Sequence, residues 1–156
     1  MYYLYIIKEI AVSFRTNADL NMNIPTGTKK EDFKIREEII TSFYVEWGRN
    51  NPEHRVFNDC LDDYINVDYS SLNETRRHAA KRFLSTMAVL QLDTILRTAK
   101  RVGKPLPIKP GSKNQKKFSK MIRLECQLIG IGKVKLLVGI KKKTRELVQY
   151  CITALE

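Results

Sequence analysis

The sequence predicts an α+β protein, with N-terminal helices packed on a C-terminal three- to four-stranded antiparallel β-meander. Three observations predict it. Phe33, Ile39, Ile40, Phe43, Tyr44 and Trp47 recur mostly at three- and four-residue spacing, which makes one apolar helical stripe. Residues 71–101 carry helix start and stop signals, and residues 122–154 alternate apolar and polar side chains with a period of two. A chain of 156 residues is long enough to bury a hydrophobic core in one domain.

The opening Met1-Tyr2-Tyr3-Leu4-Tyr5-Ile6-Ile7 is apolar but short, and it lacks the basic lead and small-residue cleavage site of a signal peptide. It reads as an edge strand, a docking arm, or an extension upstream of a start at Met22. Asn21 to Lys30 is polar, holds Pro25 and Gly27, and reads as a linker. Residues 1–30 are therefore expected to be an arm and linker, and residues 31–156 a single α+β domain. The first helix follows, stopped by Gly48-Arg49-Asn50-Asn51-Pro52. Val56 to Leu61 suits a short helix or turn. Tyr64 to Tyr69 alternates and carries aromatic and β-branched residues, as a strand does.

Ser71-Leu72-Asn73-Glu74 matches a capping box, with a helix expected to about Leu84. Ser85 caps a further helix through Arg101, which Gly103 ends. Lys104 to Gln115 is rich in proline and lysine, with too little apolar surface to pack, and is expected to be a mobile surface loop. Ile122 to Leu128, Val134 to Ile140 and Val148 to Ala154 then form the meander. Gly130-Ile131-Gly132 suits a hairpin turn, lacking the third glycine and the helix of a dinucleotide fingerprint, and Lys143-Thr144-Arg145 suits the second turn. Placing Ile129 opposite Lys133, and Lys142 opposite Glu146, puts Arg123, Gly139 and Gln149 in one row of the solvent face. Glu125, Leu137 and Cys151 share the next row, and Gln127, Lys135 and Thr153 the third. Tyr150 then faces the core, and Gly139 leaves room for a backbone or ligand.

Charge divides the chain. Residues 1–75 hold 8 basic and 13 acidic side chains, whereas residues 76–156 hold 20 basic and 4 acidic, within a total of +11. A field of one sign over half a domain favours a polyanion through steering and counterion release. The nucleic-acid-binding residues expected are Lys81, Lys117, Lys133, Lys141, Lys142, Lys143, Arg145, Gln149 and Thr153. The hairpin-tip run Lys141-Lys142-Lys143-Thr144-Arg145 suits a phosphate clamp and equally a guard against edge aggregation. No exposed aromatic pair of the kind that stacks single-stranded bases is expected.

His78 is crowded by Arg76, Arg77, Lys81 and Arg82, which favours its neutral form and suits a general base, with Glu74 one turn away to orient it. A packing histidine on a helix surface is the plainer alternative, and His54 reads as structural. Glu125 is expected to pair with Arg123 or Lys135. Cys60, Cys126 and Cys151 are odd in number and far apart, which points to reduced thiols in a cytoplasmic protein and away from zinc. Asp59, Asp62, Asp63 and Asp68 lack calcium-loop spacing, and no cofactor or metal is implied. No stretch reaches the roughly 18 apolar residues of a membrane span.

Tyr64-Ile65-Asn66-Val67, Ser71-Leu72-Asn73-Glu74-Thr75-Arg76-Arg77-His78 and Leu92-Asp93-Thr94-Ile95-Leu96-Arg97-Thr98-Ala99, followed by a hairpin meander, resemble domains of polyvalent proteins from phages and mobile elements. Those are grouped with the barnase–EndoU–colicin–RelE-like fold. The resemblance spans roughly Tyr64 to Leu155. It implies helices packed on a small antiparallel sheet and a metal-independent ribonuclease of a mobile element or prophage, acting on RNA in preference to DNA. Its cleavage would use the ribose 2′-OH as nucleophile, with His78 as base, Glu74 beside it, and Arg82, Arg123 and Lys135 stabilising phosphate charge. The chain departs from a typical nuclease in having no second histidine in the sheet, which leaves the acid unassigned. Two other readings stay open: a non-enzymatic accessory module of a mobile element, and a protein–protein adaptor using the acidic N-terminal helix.

Overall fold

The computed structural model describes residues 24–155. The expectations for residues 1–23 lie outside the described residues. Among the described residues, four helices and seven strands follow in the order α1 (Lys30–Asn50), β1 (Arg55–Asn58), β2 (Asp63–Asn66), α2 (Tyr69–Ala79), α3 (Phe83–Val89), α4 (Leu92–Thr98), β3 (Lys100–Arg101), β4 (Leu106–Pro107), β5 (Phe118–Leu128), β6 (Gly132–Lys141) and β7 (Leu147–Ala154). The protein is α+β, as expected. The sheet is larger than a meander: its order is β1-β2-β7-β6-β5-β3, with β4 also paired to β5. It is mixed, because β2 runs parallel to β7 while the other pairs are antiparallel.

The extra strands come from segments too short or too polar to show a period. Val56 to Leu61 gives β1 and its turn rather than a helix, because Asn58 is buried and fully engaged. Its amide donates to the carbonyls of Leu96 and Ala99 at 2.8 and 2.9 Å, and its Oδ1 accepts from the Leu61 amide. That side chain closes the C-terminal end of α4, so the helix expected to reach Arg101 stops at Thr98 and the chain turns into β3. The loop from Lys104 is not bare surface. Leu106 and Pro107 pair with Met121 and Lys120, and Ile108 packs against Phe118, Met121, Val148, Tyr150 and Cys151.

The N-terminus of α2 is one turn earlier than the Ser71 motif suggests. Asp68 is the N-cap and Ser71 the third helical residue: Asp68 Oδ1 accepts from the Ser71 amide at 3.1 Å, and Ser71 Oγ accepts from the Asp68 amide at 3.0 Å. Glu74 is thereby freed from capping and turned inward. The helix also ends at Ala79 instead of Leu84, and the span expected to be one helix from Ser85 is broken at Leu90–Gln91.

The meander is present, with its hairpin slid by two residues. Leu128 pairs with Gly132, so Arg123 faces Leu137, Glu125 faces Lys135 and Gln127 faces Lys133. The slide by an even number keeps every side chain on its expected face. Between β6 and β7 the expected pairs Lys135–Thr153 and Leu137–Cys151 form, but a bulge follows, and Val138 then pairs with Gln149. The extra residue reverses the facing of the first half of β7. Gln149 therefore faces the helices, and Tyr150 and Cys151 share the opposite face with Val148. Gly139 sits beside Met121 and Val148, not in the Arg123 row, and its space is filled from within: a Cβ there would lie 2.5 Å from the ring of fully buried Phe118.

The main core lies between the sheet and the helices, centred on Ile40, Ile65, Leu92, Ile95, Leu124 and Leu136. The α1 stripe enters it through Ile40, Tyr44 and Trp47, so it is spent on the domain's own packing. Trp47 Nε1 donates to Asp93 at 2.6 Å, which ties α1 to α4. His54 has the structural setting expected, with its ring against Trp47 and its carbonyl accepting from the Val67 amide. Arg36 was not anticipated as a core residue. It is 1% exposed, and its guanidinium donates to the carbonyls of Ala80, Pro25, Gly27 and Lys81 at 2.6 to 3.3 Å. It joins the linker, α1 and the C-terminal end of α2, where the helix dipole favours a cation.

Removing Arg36 would leave several buried carbonyls without donors. Arg36→Leu should lower the free energy of unfolding by about 3 kcal/mol in urea denaturation. Arg36→Lys should recover little of that loss, because an ammonium cannot span four carbonyls as the guanidinium fork does.

Candidate nucleic-acid interface

Basic side chains collect at the β6–β7 turn. The Lys142 amide donates to the Lys117 carbonyl at 3.2 Å, which lays Lys116 and Lys117 beside the turn that holds Lys141, Lys142, Lys143 and Arg145. Arg145 adopts φ 62, closing the turn through its amide to the Lys141 carbonyl. Only part of this charge is answered. Lys117 Nζ lies 3.6 Å from Asp68 and donates to Ser70 Oγ at 2.6 Å. Burial works against the Asp68 carboxylate, but hydrogen bonds from Ser70 and Ser71 and the charges of Lys117 and Lys141 hold its pKa below the usual value. Lys142, Lys143 and Arg145 are exposed and form no ion pair among the described residues.

The other expected contacts lie elsewhere. Lys81 and Arg82 follow α2, and Arg82 donates to the carbonyl of Ala154 at 2.9 Å, at the far end of β7. Lys133 is at that end too, since its carbonyl accepts from the Leu155 amide. Eight residues of β7 separate the two ends, about 23 Å at the usual strand rise. The basic residues expected to contact nucleic acid therefore fall into two groups, one at each end of β7. Thr153 is half-buried beside Lys135. Gln149 is withdrawn altogether: it is 0% exposed, with its Oε1 accepting from the Tyr44 hydroxyl at 2.8 Å and its amide donating to Thr75 Oγ1. The bulge in β7, invisible to a period-two reading, is the reason.

Of the residues expected to be catalytic, His78 and Glu74 lie together. Glu74 is 1% exposed; its Oε2 accepts from Arg77 at 3.0 Å and lies 3.4 Å from His78 Nε2, while its Oε1 has no hydrogen-bond partner. Glu74 also acts on the Tyr150 hydroxyl and the Cys151 thiol, and Lys135 and Arg77 act on the same thiol. His78 and Arg77 thus lie against Glu74 where α2 meets β7, with the Tyr150 hydroxyl and the Cys151 thiol near that carboxylate and Lys135 near the thiol. Burial, Arg77 and Lys81 push the His78 pKa down, and Glu74 offsets only part of that. Burial raises the Tyr150 pKa and pushes the Cys151 thiol up to about 11, so Cys151 is a poor nucleophile near neutral pH.

Arg123 and Arg82 stand apart from this set. Arg123 is bound to Glu125 at 2.8 Å, and Glu125 takes Lys133 at 3.6 Å rather than Lys135 as its second partner. The hydrogen bond from Arg123 lowers the Glu125 pKa. Glu125 and Lys133 also border an open groove of about 380 Å³ with Thr98, Lys100, Cys126 and Gln127. Among the described residues, no three His, Cys, Asp or Glu side chains are placed to hold a metal ion, and no helix is long and apolar enough to cross a membrane.

The sequence reading expects no exposed aromatic pair, and the structure overturns that expectation. Phe57 and Tyr64 are a cross-strand pair on β1 and β2, 39% and 40% exposed, with ring centroids 5.3 Å apart. The sequence hides it because the strand nature of Arg55–Asn58 was not legible. Comparison with protein-family models, with curated proteins and with solved structures gives no match. The resemblance to the barnase–EndoU–colicin–RelE-like group therefore rests on the quoted residues alone.

The environment of His78 yields a direct prediction. Its imidazole should titrate below 6.5 in an NMR pH series. Arg77→Ala should move that midpoint up, and Glu74→Gln should move it further down. Because folding favours the neutral ring, stability should be full above the unfolded pKa of about 6.5 and decline as pH falls toward the lowered midpoint.

Proposed function

We propose that this domain binds nucleic acid, RNA in preference to DNA, through the basic end of its sheet. The observation that carries the reading is the bond between Lys142 and Lys117, which brings two lysine-rich segments together against few carboxylates. A cluster of like charge at one end of a fold repels itself, and a phosphate backbone relieves that repulsion while releasing counterions. A solvated lysine face would be served equally well by scattered charges. Binding to labelled RNA should weaken steeply between low and moderate salt. Replacing Lys142 and Lys143 together by alanine should lower the slope of log affinity against log salt by about 1.4 for a single strand. An unchanged slope would remove the basic end from the interface.

A second reading, metal-independent cleavage of RNA, is favoured by one arrangement: a buried carboxylate held against a histidine whose basicity is depressed. In this reading neutral His78, its Nε2–H turned to Glu74, removes the proton from a ribose 2′-OH through Nδ1, the 2′-oxygen attacks the adjacent phosphorus, and the P–O5′ bond breaks to give a 2′,3′-cyclic phosphate. The 5′-oxygen leaves with a proton from solvent, no protein acid being assigned. Glu74 orients the imidazole, Arg77 is the cation nearest to it, 3.0 Å from Glu74 and 3.4 Å from His78 Nε2, and Lys135 lies near the Cys151 thiol. Arg82 and Arg123 are engaged with Ala154 and Glu125, so they contribute little to the step. His78→Ala should slow cleavage in chelator by about 100-fold or more. Cleavage unaffected by that substitution, or absent from the wild type, leaves the binding module without catalysis.

A further inference from the structure

We propose that the β1–β2 hairpin is a base-stacking platform and that the nucleic acid this domain takes is a single-stranded RNA segment, an inference that rests on the binding reading above. On β1 and β2, Arg55, Phe57, Tyr64 and Asn66 share one face, because Arg55 pairs with Asn66 and Phe57 with Tyr64. Their neighbours Val56 and Ile65 face the core. The outward four lie on the side of the sheet opposite the helices, since Asn66 pairs with Val148, which belongs to the second apolar cluster.

The aromatic pair is arranged as a platform and not as a core remnant. Phe57 and Tyr64 meet edge to face at 78°, so the two rings present different planes to solvent. The guanidinium of Arg55 lies 4.0 Å over the Tyr64 ring, and Arg55 is tethered only loosely, to exposed Glu53 at 3.3 Å. A planar cation already stacked on tyrosine offers its outer face to a base and its edge to a phosphate. The exposed face of Phe57 offers a second stacking surface.

Charge supplies the choice of occupant. Ile65 pairs with Leu147, two residues beyond Arg145, and Asn66 donates to the Leu147 carbonyl at 3.0 Å. The platform thus adjoins the strand that leaves the basic turn. The β1–β2 turn also carries the exposed carboxylates Asp59, Asp62 and Asp63, and Asp63 Oδ1 accepts from the Tyr64 amide, so the cations that would meet phosphate are Arg55 and those of the adjoining turn. Bases in a duplex have no free faces to place on such rings, whereas every unpaired base does.

The test uses the full chain, a 12-nucleotide adenine-rich RNA and a duplex of the same length, read by fluorescence anisotropy at two salt concentrations. The single strand should bind at least tenfold more tightly than the duplex. Phe57→Leu with Tyr64→Leu, which keeps apolar bulk in the hairpin, should weaken the single strand by roughly 10- to 100-fold and leave the salt slope unchanged. Replacing Lys142 and Lys143 should do the reverse, changing the slope. Tyr64→Trp keeps an aromatic plane, and its fluorescence should be quenched on binding even if the leucine variant folds poorly. Equal affinity for strand and duplex, no loss in a folded leucine variant, or no quenching in the tryptophan variant would overturn the platform while the basic end stood. Absence of salt-sensitive RNA binding by the wild type would overturn both.

Discussion

The amide of Gln149 decides how this domain is put together. It is fully buried, and it accepts from Tyr44 on α1 while donating to Thr75 on α2. An amide in that position costs several kcal/mol unless it is paired, so the two helices are held in one arrangement about β7. The bulge that follows Gln149 makes this possible. In an unbroken strand, Gln149 and Tyr150 would exchange faces, leaving a phenol against the helices and an amide outside. With the bulge, Tyr150 and Cys151 both turn away from the helices, and β7 becomes buried on both sides along most of its length.

That constraint also places the side chains of α2. Thr75 is drawn to Gln149, and its hydroxyl also reaches toward the Tyr150 carbonyl, which fixes α2 along the edge that β2 leaves uncovered. One residue earlier, Glu74 is driven into the same seam, and His78 follows one turn later beside it. The carboxylate is therefore buried with Oε2 paired to Arg77 and Oε1 without a hydrogen-bond partner. At the start of the same helix, Asp68 serves both as N-cap and as counterion to Lys117. The basic turn and the His78 neighbourhood are thus linked through one helix, eleven residues long.

Much of the fold was legible because it rests on long periodic segments. The three long strands, the α1 stripe and the helical middle could be read from side-chain period alone, and an even register slide left the faces intact. What was not legible depends on single side chains acting at a distance. Asn58 ends α4 from a strand about forty residues away, Arg36 binds four carbonyls on two segments, and Ile108 turns a polar loop into a lid. The same holds for the candidate site. His78 beside Glu74 follows from helical spacing, but the removal of Gln149, the engagement of Arg82 with Ala154, and the choice of Lys133 over Lys135 by Glu125 follow from a bulge and a register. The exposed aromatic pair escaped because a four-residue strand has too little sequence to reveal a period.

The sequence pattern suggests the open face of a meander as the contact surface, and the structure closes the middle of that face. Phe118 folds onto Gly139, Tyr150 packs edge-on against Phe118 at 6.1 Å, and Ile108 lies on the cluster they form. A ligand could reach those positions only by displacing well-packed apolar side chains, so exposed contacts move to the borders. There the chain has placed its unanswered lysines at one turn, Arg55 with its two rings on the adjoining hairpin, and His78 at the seam of α2 and β7. A duplex is stiff and would have to meet these borders along one line. In the reading proposed above, a single strand would bend from the basic turn to either of the other two, setting phosphates, bases and ribose hydroxyls against the cations, rings and imidazole of the borders.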